Sequence, residues 1–232
     1  MPESADVSLL LNVVNVFVDD RGDHGNPLGI LWASPSTAKN EQQIAADLGF
    51  SETIFLDALE GDVAAARIFT PARELPFAGH PTVGLAAWLR SGGDQITAIE
   101  VPAGRVRVRT DGDLTFVSAS PGWAPEFLLD QLPSPQEVDA VDPYAYGEGL
   151  HYVWAWAAER AGRVRARMFA PDLGIREDEA TGAAAVRLTA ELGRDLEIFQ
   201  GGGSVIHTHA RRLGTQVEVG GRVSEARVVE LR

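Results

Sequence analysis

Short apolar runs alternate along the chain with clusters of Gly, Pro, Asn and Asp, the pattern of many strands broken by a few helices. Runs at about 11–18 and 28–33 predict two strands joined by the turn-forming segment 21–27. An amphipathic stretch near 37–48 predicts a helix. Ser36 or Thr37 is its N-cap, Ile44, Ala45 and Leu48 its apolar face, and Gly49 its stop. Strands follow near 53–58 and 63–69. A second helix starts at Gly79 or His80, with Pro81 at its first position, and runs through Trp88 and Leu89 to Gly92 and Gly93. Three short strands come next, near 96–101, 104–110 and 113–118, and Arg105-Val-Arg107-Val-Arg109 gives the middle one a wet face. The Pro- and Asp-rich stretch 121–149 predicts short helices at most. Strands at 151–156 and 164–169, a helix over 181–192 stopped by Gly193, and strands at 195–200, 204–210, 215–219 and 222–231 complete the chain.

The second half repeats the first. Arg67-Ile-Phe69-Thr-Pro71 recurs as Arg167-Met-Phe169-Ala-Pro171. Each copy then passes through a loop into a helix start of small residues. The first is Ala78-Gly79-His80-Pro81-Thr82-Val83-Gly84, and the second is Asp178-Glu179-Ala180-Thr181-Gly182-Ala183-Ala184. Such a repeat predicts two similar lobes. The segment Gly84-Leu-Ala-Ala-Trp-Leu89 is apolar on nearly every side, so it needs enclosure, which a sheet curled around it supplies. The expected architecture is therefore α+β, with two pseudo-symmetric lobes, each a barrel-like, mostly antiparallel sheet around a central helix. The lobes divide at 1–112 and 113–232, and the last strand can return to the first lobe. Ligands favour the cleft between lobes, and helix N-termini aimed into it attract anions.

The 232 residues are 45% apolar, enough for substantial cores, and their net charge of −13 is spread along the chain. That charge opposes nucleic acid as a partner, because phosphate binding needs a basic face. Cysteine is absent, so the chain offers no disulfide, thiolate nucleophile or sulfur ligand. The apolar stretch 7–18 is interrupted by Asn12 and Asn15 and has an acidic lead-in. It reads as a buried strand rather than a signal peptide or a membrane span, and the expected location is cytoplasmic.

The string Arg67-Ile-Phe-Thr-Pro-Ala-Arg-Glu-Leu-Pro-Phe-Ala-Gly-His80-Pro-Thr-Val-Gly84 strongly resembles the signature of the phenazine-biosynthesis PhzF-like family. So do His24-Gly-Asn-Pro27, Phe50-Ser-Glu52-Thr53 and Glu177-Asp178-Glu-Ala-Thr-Gly182-Ala. These motifs stand in family order from residue 12 to about 200. The resemblance implies the diaminopimelate epimerase-like fold of two lobes with the site between them. Those epimerases use two cysteines as acid and base, a chemistry this cysteine-free chain cannot perform.

Three residues are candidates for chemistry. Glu52 lies among Phe50, Ile54 and Phe55, surroundings that predict a raised pKa suited to taking and returning a proton. The resemblance makes it the general acid/base, against the alternative of a surface or capping glutamate. His80, at a helix start, can bond a substrate carboxylate or relay a proton, or simply cap its helix. Asp178 is the second carboxylate, from the repeat-equivalent loop. Alternatively it, Glu177 or Glu179 caps the helix near Thr181. The resemblance and the repeat further assign substrate contacts to Asn26, Ser51, Gly79, Pro81, Thr82, Thr181, Gly182 and Ala183. No metal is expected, because His207 and His209 lack a clear third ligand, and the function implied by the resemblance needs no cofactor.

The chain departs from the family at two places. The usual Asp-Pro-Ala-Thr-Gly-Ser reads Asp178-Glu-Ala-Thr-Gly182-Ala183, which loses a proline and a hydroxyl. Gln200-Gly201-Gly202-Gly203-Ser204 continues without the family's arginine, and its glycines form either an anion-binding nest or a hairpin turn. The function implied is a cofactor-independent isomerase that shifts a proton within a small carboxylated substrate. The alternative is a non-catalytic small-molecule-binding homologue with an altered cleft. The resemblance also implies a homodimer.

Overall fold

Strand β1 (Leu9–Val18) is covered on both sides: Val14 and Val16 face one core, Leu11 and Val13 another. A strand with two dry faces carries apolar residues almost without alternation, which is why this stretch reads as continuous in the sequence. A computed structural model of the chain describes residues 9–211 and 215–231. The predicted apolar stretch therefore begins, at Val7 and Ser8, outside the described residues.

Nine elements follow in the first half: β2 (Asn26–Trp32), α1 (Glu41–Leu48), β3 (Glu52–Glu60), β4 (Val63–Phe69), β5 (Glu74–Leu75), α2 (Gly79–Ser91), β6 (Ala98–Val101), β7 (Gly104–Asp111) and β8 (Leu114–Ala119). The second half holds β9 (Leu128–Gln131), α3 (Pro135–Asp139), β10 (His151–Ala158), β11 (Arg163–Ala170), β12 (Ile175–Asp178), α4 (Gly182–Leu192), β13 (Leu196–Gln200), β14 (Ser204–Arg211), β15 (Gln216–Val223) and β16 (Arg227–Leu231).

Eight strands form a closed ring in the order β1, β2, β3, β4, β6, β7, β8 and β15, with β15 pairing back to β1. Helix α2 runs inside this barrel. Its Gly84 permits the approach, since a Cβ there would stand 2.4 Å from Leu28 Cδ2 and 2.7 Å from Val16 Cγ2. The other lobe wraps β8, β15, β14, β13, β11, β10 and β9 around α4, so β8 and β15 serve both lobes. The last strand, β16, pairs with β1.

The series β2–α1–β3–β4–β5–α2–β6–β7–β8 is matched by β9–α3–β10–β11–β12–α4–β13–β14–β15 down to strand direction. β2 and β3 are parallel, as are β9 and β10, and the crossovers β4 to β6 and β11 to β13 are parallel too. The repeated Arg-x-Phe has a structural cause. Arg67 lies over Phe69 and pairs with Glu41 of α1. Arg167 lies over Phe169 and donates to the carbonyls of Val138, Asp139 and Val141 around α3. Each copy therefore ties the outer helix of its lobe to the sheet. Among the described residues β1 has no counterpart in the second series. Among the described residues the outer edge of β9 is unpaired, and that ring stays open. The segment after β8 crosses the opening, where Arg187 of α4 donates to Ala124 O at 2.6 Å and Pro125 O at 3.0 Å.

The α+β, two-lobed architecture predicted from the repeat is thus the observed one, with four local corrections. Helix α1 starts at Glu41, because Thr37 is engaged in a turn with Ser34. Pro81 is the third residue of α2 rather than the first, which still costs no hydrogen bond because the first four helix amides lack partners. The stretch 121–149 contains a strand, β9. Gly220 and Gly221 lie inside β15 and make no turn: a Cβ on Gly220 would meet Thr115 O at 2.3 Å, so glycine admits the neighbouring strand there. No helix among the described residues is long and apolar enough to cross a membrane.

Candidate active site

The predicted site residues converge where α2 and α4 meet end to end. Strand β3 begins at Glu52, whose partly buried carboxylate lies 3.0 Å from Nδ1 of His80, the second residue of α2. His80 is 3% exposed, and its Nε2 is buried with no hydrogen-bond partner. A buried polar atom left unpaired is costly, so this nitrogen is primed to accept a ligand's polar group.

Asp178 ends β12 and is gripped on both oxygens. Asn26 Nδ2 donates to Oδ1 at 2.7 Å, and Thr181 Oγ1 donates to Oδ2 at 2.5 Å. Asn26 also donates to Ala180 O at 3.0 Å and accepts from Ser51 Oγ at 3.2 Å. This chain of bonds joins β2 and the start of β3 to the second lobe. Gly79 and Gly182 are the first residues of their helices and lie in contact. Pro81 is buried in the first turn of α2, and Ala183 is half-buried in that of α4. Thr82 stands apart: its hydroxyl donates back to Ala78 O and Gly79 O within its own helix.

The two carboxylates are driven in opposite directions. Burial pushes Glu52 up, but the hydrogen bond and charge of His80 outweigh it, and Glu52 lies below its ordinary value. The raised value expected from its apolar sequence neighbours is overturned, because the deciding partner is remote in sequence. Asp178 is pushed up to about 6, by burial first and then by the charge of Glu52, against the hydrogen bonds of Thr181 and Asn26 and the charge of His80. Divergent environments of this kind separate an ionised base from a proton-holding acid.

None of the acidic residues near Thr181 caps α4. Glu177 forms a bidentate pair with Arg167 at 2.7 Å. Glu179 accepts from Gly202 N at 2.9 Å and from Ser204 Oγ at 2.7 Å. The glycines 201–203 make the β13–β14 hairpin turn, and the amide of Gly202 is taken by the chain's own carboxylate. His209 pairs with Asp195 at 3.0 Å. Sequence reasoning missed Gln200 and Tyr152, which hold Thr181 and Asp178 from behind. The available signal was the alternation Leu196, Ile198, Gln200, which sets an amide on the buried face of β13.

Fold and site together define a class: a two-lobed protein of the epimerase-like fold, with acidic residues and two helix N-termini gathered between its lobes. Solved structures share the fold. A PhzC/PhzF phenazine biosynthesis protein from Clostridium difficile superposes with a TM-score of 0.75, at 21% identity over 97% of this chain and 99% of that one. A hydroxyproline epimerase from Agrobacterium vitis does so with a TM-score of 0.64, at 15% identity over 98% and 94%. The chain belongs to the phenazine biosynthesis-like protein family, whose model matches residues 14–137 and 140–230. The trans-2,3-dihydro-3-hydroxyanthranilate isomerase of Pseudomonas aeruginosa is 32% identical over 224 residues, covering 76% of this chain and 80% of that protein. Membership in this family makes the chain an isomerase.

Proposed function

We propose that the protein moves a proton between two carbons of a small, cyclic, carboxylated substrate, with Glu52 as the base that takes and returns it. The observation that carries this reading is the Glu52–His80–Asp178 cluster. One carboxylate is held ionised, the other is pushed toward its protonated form, and the unpaired Nε2 of His80 lies between the lobes. Glu52 removes a proton from one carbon. The electron pair left behind moves through the adjacent double bond, and the proton is delivered to the carbon at its far end. Composition is unchanged and the step balances without an oxidant or reductant. His80 and Asp178, whose carboxyl takes up a proton more readily than an ordinary aspartate, orient the substrate and stabilise the charge that develops. The amides of α2 and α4 receive the substrate carboxylate, where two helix dipoles add favourable potential.

The P. aeruginosa relative supplies the first substrate to try. Incubation of this protein with trans-2,3-dihydro-3-hydroxyanthranilate in heavy water, followed by proton NMR, should reveal an isomerised product with deuterium at a ring carbon. A panel of cyclic and α-amino carboxylates in the same assay covers a shifted specificity. Absence of exchange into every member, from a folded protein, would contradict the proposal.

A further inference from the structure

Gln200, at the inner end of β13, is fully buried and has both ends of its amide engaged. Its Oε1 accepts from Thr181 N at 3.1 Å and from Tyr152 Oη at 3.0 Å. Its Nε2 donates to Asp178 O at 3.0 Å and to Thr181 Oγ1 at 2.9 Å. The orientation of this amide is forced. A backbone N–H can only donate and a backbone C=O can only accept, so the Thr181 amide must face the oxygen and the Asp178 carbonyl the nitrogen. One consequence runs outward: the Tyr152 hydroxyl must donate. The other runs inward. Thr181 Oγ1 must accept from Gln200, so its single proton is committed to Asp178 Oδ2, 2.5 Å away.

We propose that Gln200, pinned by Tyr152, is a positioning residue that aims the Thr181 hydroxyl at Asp178 and so sets how readily that carboxyl holds a proton. The inference rests on the proposed function in taking Asp178 as the proton-holding partner of Glu52. A hydroxyl donated to a carboxylate favours its ionised form, so this wiring opposes the burial and the Glu52 charge that drive Asp178 upward. The other groups facing Asp178 are His80 from α2, Asn26 from β2 and Tyr152 from β10, with Arg165 of β11 acting on Tyr152. Gln200 stands behind this set, and through Thr181 Oγ1 it fixes the direction of a proton.

Aspartate-selective 13C labelling and NMR follow the titration of Asp178 directly, the Asp178→Asn variant identifying its signal. In Gln200→Met and in Thr181→Val the midpoint should rise by about one pH unit, the value of one hydrogen bond to a charged group. The descending limb of the pH–kcat/KM profile should move with it. Because Gln200 acts through Thr181, adding Gln200→Met to Thr181→Val should move the midpoint little further. Should Gln200→Met fail to fold, Tyr152→Phe carries the test, with a smaller rise expected. An unchanged midpoint in the folded variant overturns the proposal, as does a full second shift in the double variant. A midpoint that moves while Asp178→Asn retains full turnover instead overturns the catalytic reading of Asp178 and leaves the wiring standing.

Discussion

Gly79 and Gly182 meet at the seam between the lobes, where a side chain on either would be crowded by the other. A Cβ on Gly182 would stand 3.0 Å from the His80 amide nitrogen and 3.3 Å from Gly79 Cα. Two helix N-termini brought this close each present roughly half a positive charge, an arrangement that repels unless negative charge lies nearby. The ionised Glu52 supplies some of it, and the remaining field favours an anionic ligand. The repeated small-residue helix starts therefore encode a close approach that creates the site.

Gly182→Ala should cost about 1–3 kcal/mol of stability, because the crowding atoms are backbone and cannot rotate away. Gly122→Ala is the control. The nearest atom to its added Cβ is Ser120 Oγ at 3.8 Å, and the cost should stay within about 0.5 kcal/mol. Urea denaturation midpoints compare the two. Equal midpoints would remove the close-packing argument for the glycine pair.

Stability should depend on pH with two opposing signs. Asp178 has a folded-state pKa raised from 3.8 to about 6, so its contribution is full below the unfolded value and is lost as pH rises through about 6. Glu52 is lowered from 4.5, so its contribution is present above 4.5 and is lost as pH falls through the lowered value. Measured by urea unfolding, the stability of the wild type relative to Asp178→Asn should therefore fall between pH 4 and 7. A pH dependence that is the same in the two proteins would mean that another group carries it.

Glu179 links three segments. It accepts from Gly202 N and Ser204 Oγ, and Ser204 Oγ accepts in turn from Gly25 N at 3.0 Å, next to Asn26. Glu179→Ala leaves an amide and a hydroxyl without their acceptor and should destabilise by about 1–3 kcal/mol. Thermal unfolding measures the loss, and Ser204→Ala should lower the midpoint through the same link. A Glu179→Ala protein as stable as the wild type would show that solvent replaces the carboxylate.

The sequence was most legible where one residue decides. The apolar surround of Gly84, the glycine stops at Gly49 and Gly193 and the doubled Arg-x-Phe-x-Pro strand all led to elements that the structure contains. It was least legible where the deciding partner is distant. The ionisation of Glu52 turns on His80, twenty-eight positions away, and the setting of Asp178 on Asn26 and Gln200. Strand β9 was obscured because its four residues borrow their partner, β10, from beyond a Pro-rich stretch. Gly220 and Gly221 look like a turn in sequence, since nothing local reveals that Phe116 and Phe17 fill the space their side chains would need.

The central claim is that Glu52 carries the proton. Deuterium incorporation from heavy water, followed by NMR on a carboxylated substrate that the wild type turns over, tests it most directly. Glu52→Gln keeps the shape and removes the titrating group, so incorporation should fall by ~10²–10⁴-fold while ligand affinity changes far less. Glu60→Gln, at the exposed end of the same strand, should incorporate like the wild type. A Glu52→Gln protein that incorporates deuterium at the wild-type rate would contradict the account and leave Asp178 as the candidate base.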